Sequence, residues 1–349
     1  MHLQEHGCMV YLEKDYLINY FMRISIRTIF ISFVTILLTA FFATLLPSCN
    51  IASDKYSLTD SIPAAPWYGW NKYQIKPEDS MARLGHDLIE NTSYYFGPKG
   101  KIAAITNGME CQNCHIQSGI IPWGNNFSAV VMSYPRFSGR SGKMMSISRR
   151  INDCFERSLN GMAIDTNSRE MQAMIAYMHW IGDDIPRGKK PLGSGIMKLK
   201  YLDRAADPAK GKIVFMNNCQ RCHGENGEGK SNQNSSGFIY PPLWGANSFN
   251  TGAGLYRISN FAGFVKNNMP FEEANYQHPK LTDEEAWDVA AFVNSQPRPS
   301  IKNKIDYPDI SKKEIDNPVG PYIDTFSEVQ HKYGPFKPIE DATKKLISH

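Results

Sequence analysis

Apolar residues recur at helical spacing in several separate segments of the chain. Met81, Leu84, Leu88 and Ile89 form one stripe and predict a helix over about residues 79–94. A second helix is expected from about 146 to 160, stopped by Gly161. Within it Ile147, Ile151, Phe155 and Leu159 make an i, i+4 row that packs inward, and Arg150, Cys154 and Ser158 make the adjacent row. A third, from about 168 to 181, carries Met171, Met174, Ile175 and Met178. Polar residues with Gly188, Pro191, Gly193 and Gly195 follow and read as a linker. Helical signals then resume, with Asp207 as N-cap and Pro208 at the first helical position. Later, Thr282-Asp283-Glu284-Glu285 is a capping box for a helix through Ala286, Val289, Ala290 and Val293. The pattern predicts an all-α protein with compact units at 77–186 and 207–298, joined by a polar linker at 187–206. An irregular Pro-, Trp- and Tyr-rich lead-in occupies 50–76, and a Lys-, Pro- and Asp-rich tail without a motif occupies 299–349.

The one long uncharged run lies near the N-terminus, from Thr28 to Leu46, behind Arg23 and Arg27. A basic patch before an apolar core reads as an export signal, with Met22 a plausible true start. Leu46-Pro47-Ser48-Cys49 resembles a bacterial lipobox, from which it departs at the proline, and Cys49 is then the lipid acceptor. The alternative is an uncleaved anchor helix. Both readings make residues 1–49 a targeting or anchoring segment. Both place the rest on the periplasmic side of a membrane.

The seven cysteines sort by position. Cys8 and Cys49 belong to the N-terminal region, and Cys154 stands alone. The other four form two C-x-x-C-H motifs, Cys111-Gln112-Asn113-Cys114-His115 and Cys219-Gln220-Arg221-Cys222-His223. That spacing hangs a porphyrin from two thioethers and sets the adjacent histidine beneath the iron. A zinc pair or a redox C-x-x-C does not explain a histidine in the same next position twice. Two covalently bound haem c groups are therefore expected, with His115 and His223 as proximal ligands. A helix before the motif and another after a distal ligand is the arrangement of a small cytochrome c domain, so two such domains in tandem are expected.

Each iron has a second face. For the second haem, Asn268-Met269-Pro270 offers Met269, with Lys266 as a competing ligand. For the first, Met144, Met145, Met162 and Met174 lack a following proline, and His179 sits among apolar residues as a packed core histidine. Cys154 is the better candidate. The bland reading of a lone cysteine is a buried structural thiol. The flanking arginines argue instead for a stabilised thiolate.

Composition alters little: 42% hydrophobic and 21% charged residues exclude wholesale disorder, and a net charge of +4 gives no case for nucleic acid. Its distribution matters more. No Asp or Glu falls between Cys111 and Asn152, whereas Arg136, Arg140, Lys143, Arg149 and Arg150 do. Such a stretch is usually a solvated face. Bracketing a candidate iron ligand, it suggests a cationic funnel for a small anion.

Together the first C-x-x-C-H, the Cys-x-x-Arg-Ser-x-Asn-Gly segment at 154–161 and a second cytochrome domain with Asn268-Met269-Pro270 resemble the dihaem thiosulfate dehydrogenases, which form tetrathionate. The resemblance runs from about Met81 to Pro297. It implies that two thiosulfates are joined into tetrathionate with loss of two electrons, in some members reversibly. It further implies Cys154 as active-site ligand and covalent sulfur acceptor, with Arg140, Arg150 and Ser158 as anion-binding groups. The second haem relays electrons to a soluble or membrane-bound carrier cytochrome. Two rivals remain at this point: an electron-transfer cytochrome with no substrate of its own, and a SoxA-like sulfur-oxidation cytochrome.

Overall fold

A computed structural model describes residues 80–232, 237–301 and 306–347. The export segment, Cys8, Cys49 and the lead-in lie outside the described residues. Among the described residues, no helix is long and apolar enough to cross a membrane.

The principal helices are α1 (Ser80–Glu90), α2 (Ile147–Arg157), α3 (Arg169–Gly182), α4 (Pro208–Asn218), α5 (Ile258–Asn268), α6 (Asp283–Ser295), α7 (Glu328–Tyr333) and α8 (Phe336–Ile347). Their starts follow local chemistry. Ser146, Ser168 and Asp207 accept from backbone N–H groups of the first turns of α2, α3 and α4. At α6 the Thr282 hydroxyl accepts from Glu285 N–H and the Glu285 carboxylate accepts from Thr282 N–H. Helix α1 stops earlier than its apolar stripe predicts. The Thr92 hydroxyl donates to the carbonyls of Leu88 and Ile89, and a separate short helix, Thr92–Phe96, follows.

Two hydrophobic cores form. In the first, Leu88, Ile89, Phe96, Ile151, Phe155, Met171 and Met174 are buried together, with Phe96 and Phe155 edge to face at 5.3 Å. The second gathers Phe215, Trp244, Phe261, Trp287, Val289 and Val293. Each domain closes by crossing its first helix on its last, and each crossing turns on a glycine. A Cβ on Gly85 of α1 would lie 2.0 Å from the Ala173 carbonyl oxygen of α3. A Cβ on Gly211 of α4 would lie 1.9 Å from that of Asp288 in α6. Only a residue without a side chain allows backbones so close.

The remaining segments are less regular but well anchored. Residues 139–142 form the tip of an antiparallel hairpin, β1 (Arg136–Ser138) against β2 (Lys143–Met145). A second small hairpin pairs β3 (Lys230–Ser231) with β4 (Phe238–Tyr240). The interdomain segment is docked at both ends. Trp123 N–H donates to the Gly193 carbonyl, and Trp287 Nε1 donates to that of Lys200. The tail also folds onto the body, inserting Phe336 and Ile339 into the second core. His179 departs from expectation: it is exposed on α3 and pairs with Asp183, because the apolar residues around it turn to the other faces of the helix.

Gly211→Ala is expected to lower unfolding free energy by about 2–3 kcal/mol through overpacking. Lys210→Ala, one residue away and exposed, should change it by less than about 0.5 kcal/mol. Denaturant unfolding compares the two, and equal midpoints would refute the close crossing.

Candidate functional site

The two C-x-x-C-H segments adopt the same local turn. His115 N–H donates to the Cys111 carbonyl at 3.0 Å, and His223 N–H to that of Cys219 at 3.0 Å. This wraps two cysteines and a histidine around one turn. Each imidazole is then oriented by a backbone carbonyl: Nδ1 of His115 donates to Asn125 O at 2.6 Å and Nδ1 of His223 to Pro241 O at 2.8 Å. A proton held at Nδ1 leaves the Nε2 lone pair free to ligate. The side-chain amide of Asn125, 3.3 Å from Nε2 of His115, marks that nitrogen as an acceptor. Burial lowers the His115 pKa to about 4 and lowers that of His223, so both rings are neutral at ordinary pH.

His115 opens into a cavity that reaches solvent at one end. Cys111 and Cys114 line it with His115, and helix α2 supplies another wall with Ile147, Ile151, Phe155, Arg150, Cys154 and Ser158. Both rows anticipated on α2 therefore reach the cavity, the apolar one also serving the core. Helix α2 sets Arg150 one turn before Cys154, and its Nη1 donates to the Cys154 sulfur at 3.0 Å. That sulfur is the main cause of Arg150 being even less acidic than an ordinary arginine. Ser158, whose N–H donates to the Cys154 carbonyl, lines the same space. Met174 and Met178 contribute only to its apolar wall beside Leu159.

Two cysteines and a neutral histidine on one turn, facing an apolar cavity, fit a thioether-linked haem. A further sulfur held by a guanidinium fits a second axial ligand. Burial raises the Cys111 and Cys114 thiols to about 12, as expected of sulfurs in a dry pocket meant for covalent attachment. The second site has the same donor set in Cys219, Cys222 and His223. Met269 follows the last residue of α5 and packs with Cys219 on the second core. Lys266 points elsewhere, donating to the Leu281 carbonyl at 2.6 Å and pairing with Asp283 at 2.9 Å.

Arg140 does not join the cavity lining. Its Nη1 donates to the Gly252 carbonyl at 2.9 Å, and its Nε donates to the Tyr307 hydroxyl at 3.3 Å. Nearby, Arg157 is held by both oxygens of Asp306 at 2.7 Å. Charge counting along the sequence could not separate Arg140 from Arg150, because Tyr307 and Asp306 lie far along the chain. Among the lining residues that sequence reasoning did not single out are Tyr134, Asn125 and Lys190. Arg136, part of the basic stretch, is in the lining as well.

Residues 101–186 match the family described as SoxA/TsdA, cytochrome c domain, and residues 208–297 match cytochrome c. The chain is 41% identical over 266 residues to a thiosulfate dehydrogenase of Psychrobacter arcticus, covering 74% of this chain and 77% of that one. It is 38% identical to the thiosulfate dehydrogenase of Allochromatium vinosum, covering 62% of this chain and 80% of the relative. Among solved structures, it resembles thiosulfate dehydrogenase (TsdBA) from Marichromatium purpuratum in its as-isolated form, with a TM-score of 0.59 and 30% identity. That match covers 66% of this chain and 48% of the other, so this chain corresponds to about half of that protein.

Arg150→Gln should change the absorption spectrum of the first haem, because it removes the donor to Cys154. Arg140→Gln should leave the spectrum unchanged and lower stability by about 1–3 kcal/mol, since it strips a charged donor from partly buried acceptors. A spectral change of similar size in both variants would contradict their separation.

Proposed function

The chain belongs to the thiosulfate dehydrogenases, a family of dihaem c-type cytochromes, and we propose that it joins two thiosulfate ions into tetrathionate at the cavity containing Cys154. The observation that carries this reading is the 3.0 Å contact from Arg150 to the Cys154 sulfur inside a cavity shared with Cys111, Cys114 and His115. A plain electron carrier has no use for a thiolate and a guanidinium opening onto such a cavity. A complete second cytochrome domain speaks against a SoxA-like module.

The arrangement supports a balanced two-stage reaction. In the first stage the Cys154 sulfur and the terminal sulfur of one thiosulfate form a disulfide-type bond, and two electrons leave the pair. The product is a Cys–S–S–SO₃⁻ group. In the second stage the terminal sulfur of another thiosulfate attacks the sulfur next to the sulfonate. Tetrathionate departs, and Cys154 is released as a thiolate. Cys111, Cys114 and His115, and Cys219, Cys222 and His223, would hold the two haems, which would supply two one-electron acceptors for the electrons released, a carrier cytochrome being the onward acceptor.

This chain's own side chains do the rest. Arg150 stabilises the thiolate both as starting nucleophile and as leaving group. Its remaining donors and the Ser158 hydroxyl offer contacts to the sulfonate oxygens. The apolar wall of Ile147, Ile151 and Phe155 keeps water from the sulfur and so strengthens each of these interactions. Met269 would hold the second haem together with Cys219, Cys222 and His223. The basic, apolar sequence at 23–46 supports export, with attachment to a membrane through Cys49 or the N-terminal helix.

Thiosulfate-dependent reduction of ferricyanide by the holoprotein tests the reading. Cys154→Ala should lower the rate at least about a hundredfold and abolish the spectral signature of thiolate ligation. Equal rates in variant and wild type would sink it. Met269→Ala should alter the spectrum of the second haem, whereas Lys266→Ala should not. The opposite pattern would identify the lysine as ligand.

A further inference from the structure

We propose that Arg136, carried on the Tyr134 ring and assisted by Lys190, forms an outer anion subsite that holds the far sulfonate of the second thiosulfate and of tetrathionate. This inference rests on the reading of the cavity as a thiosulfate-coupling site, and it addresses a difficulty that reading leaves open. Both substrates are dianions, and after the first stage the cavity already holds a sulfonate on Cys154. The second thiosulfate must approach against that charge. Arg150 is committed to the inner position by its contact with the Cys154 sulfur.

The cavity carries cations placed for the second ion. Arg136 and Lys190 both line it, and both are exposed, which sets them at its open end. Arg136 stacks on Tyr134, with its guanidinium carbon 5.0 Å from the ring centroid, and Nη2 donates to the Tyr134 hydroxyl at 3.3 Å. Tyr134 also lines the cavity, as does Arg150. Cys154, Arg150, Tyr134 and Arg136 thus all line one cavity, with the exposed Arg136 outermost.

Three features make Arg136 available to a ligand. Among the described residues no carboxylate pairs with it, unlike Arg149 and Arg157, each paired with acidic residues. The ring beneath it restricts the guanidinium without using up its planar fork of donors. Glu110 is the one carboxylate in the cavity lining, and it is turned to Ser93, accepting from its backbone N–H at 2.8 Å. Among the lining side chains, none therefore brings a negative charge to Arg136 or Lys190. Tetrathionate is a chain of four sulfurs with a sulfonate at each end, so an inner and an outer cation suit it better than one cation alone.

The test compares wild type with Arg136→Gln, Arg136→Lys and Lys190→Gln, all as oxidised holoproteins. Two measurements are made: the KM for thiosulfate in the ferricyanide assay, and tetrathionate affinity by calorimetry. Arg136→Gln should raise KM about tenfold, by more than any fall in kcat, and weaken tetrathionate binding about tenfold. Arg136→Lys should recover part of both losses, and Lys190→Gln should move both in the same direction by less. The haem spectra should match wild type, because none of these side chains touches Cys154. The proposal is overturned if Arg136→Gln leaves either quantity within about twofold of wild type, or if its haem spectrum shifts. Tetrathionate binding that depends on Arg136 in a wild-type protein without turnover would uphold the subsite and defeat the coupling reaction. Turnover indifferent to Arg136 would do the reverse.

Discussion

The proposed chemistry depends on a guanidinium and a sulfur one helical turn apart. Arg150 donates to Cys154 at 3.0 Å, and helix α2 is built to hold that pair against a cavity. Its start is fixed by the Ser146 cap, and its inner row is pinned in the first core by Ile151 and Phe155. Its outer face is braced by charge: Asp153 accepts from Arg149 at 2.8 Å and lies 3.7 Å from Arg157. Exposed pairs of this kind are worth little individually. Asp153 and Arg157 are buried, however, and each has a second partner, Arg149 for Asp153 and Asp306 for Arg157, so the charges stay paired out of water. The position of the reactive sulfur thus follows from packing on one face and ion pairing on the other.

The same logic explains the tail, which shows no periodicity or motif in sequence. Three of its acidic residues, Asp306, Glu314 and Asp316, meet arginines of the two domains. Asp306 takes Arg157 of the first domain with both oxygens, and Asp316 takes Arg257 of the second, where Arg257 also meets Glu314 at 3.0 Å. Tyr307 reaches from Arg140 to Glu314. Phe336 and Ile339 then complete the second core. One extension therefore touches both haem domains and neutralises cations that would otherwise compete with the cavity for anions. Arg140 lies among these neutralised cations, whereas Arg136 does not.

A second link joins the two sites more directly. Ile116 and Ile121, just beyond the first haem motif, are buried in the second core, and Cys114 packs against it. The Asn268 side chain donates to the Trp123 carbonyl at 3.2 Å, immediately before Met269. The segment that follows the first C-x-x-C-H thus lies against the end of α5, immediately before Met269.

Much of this was legible in the chain itself, because the information is local. The C-x-x-C-H spacing dictates covalent haem, since two thioethers and a histidine must come from one turn. The caps at Ser146, Ser168, Asp207 and Thr282 need only neighbouring residues, and the Arg150–Cys154–Ser158 row follows from 3.6 residues per turn. Other features needed residues distant in sequence. Helical spacing could not show which arginine of a basic stretch meets a carbonyl of the other domain and which meets the sulfur. It could not show that Gly85 and Gly211 mark helix crossings, or that Lys266 is tied to Leu281 and Asp283. Nor could it bring Lys190 of the interdomain segment into the cavity of the first domain. Sequence determined the chemistry available to each site, through bonding and local geometry. Tertiary structure decided which charges remain free to use, because that depends on which partners the fold brings within reach.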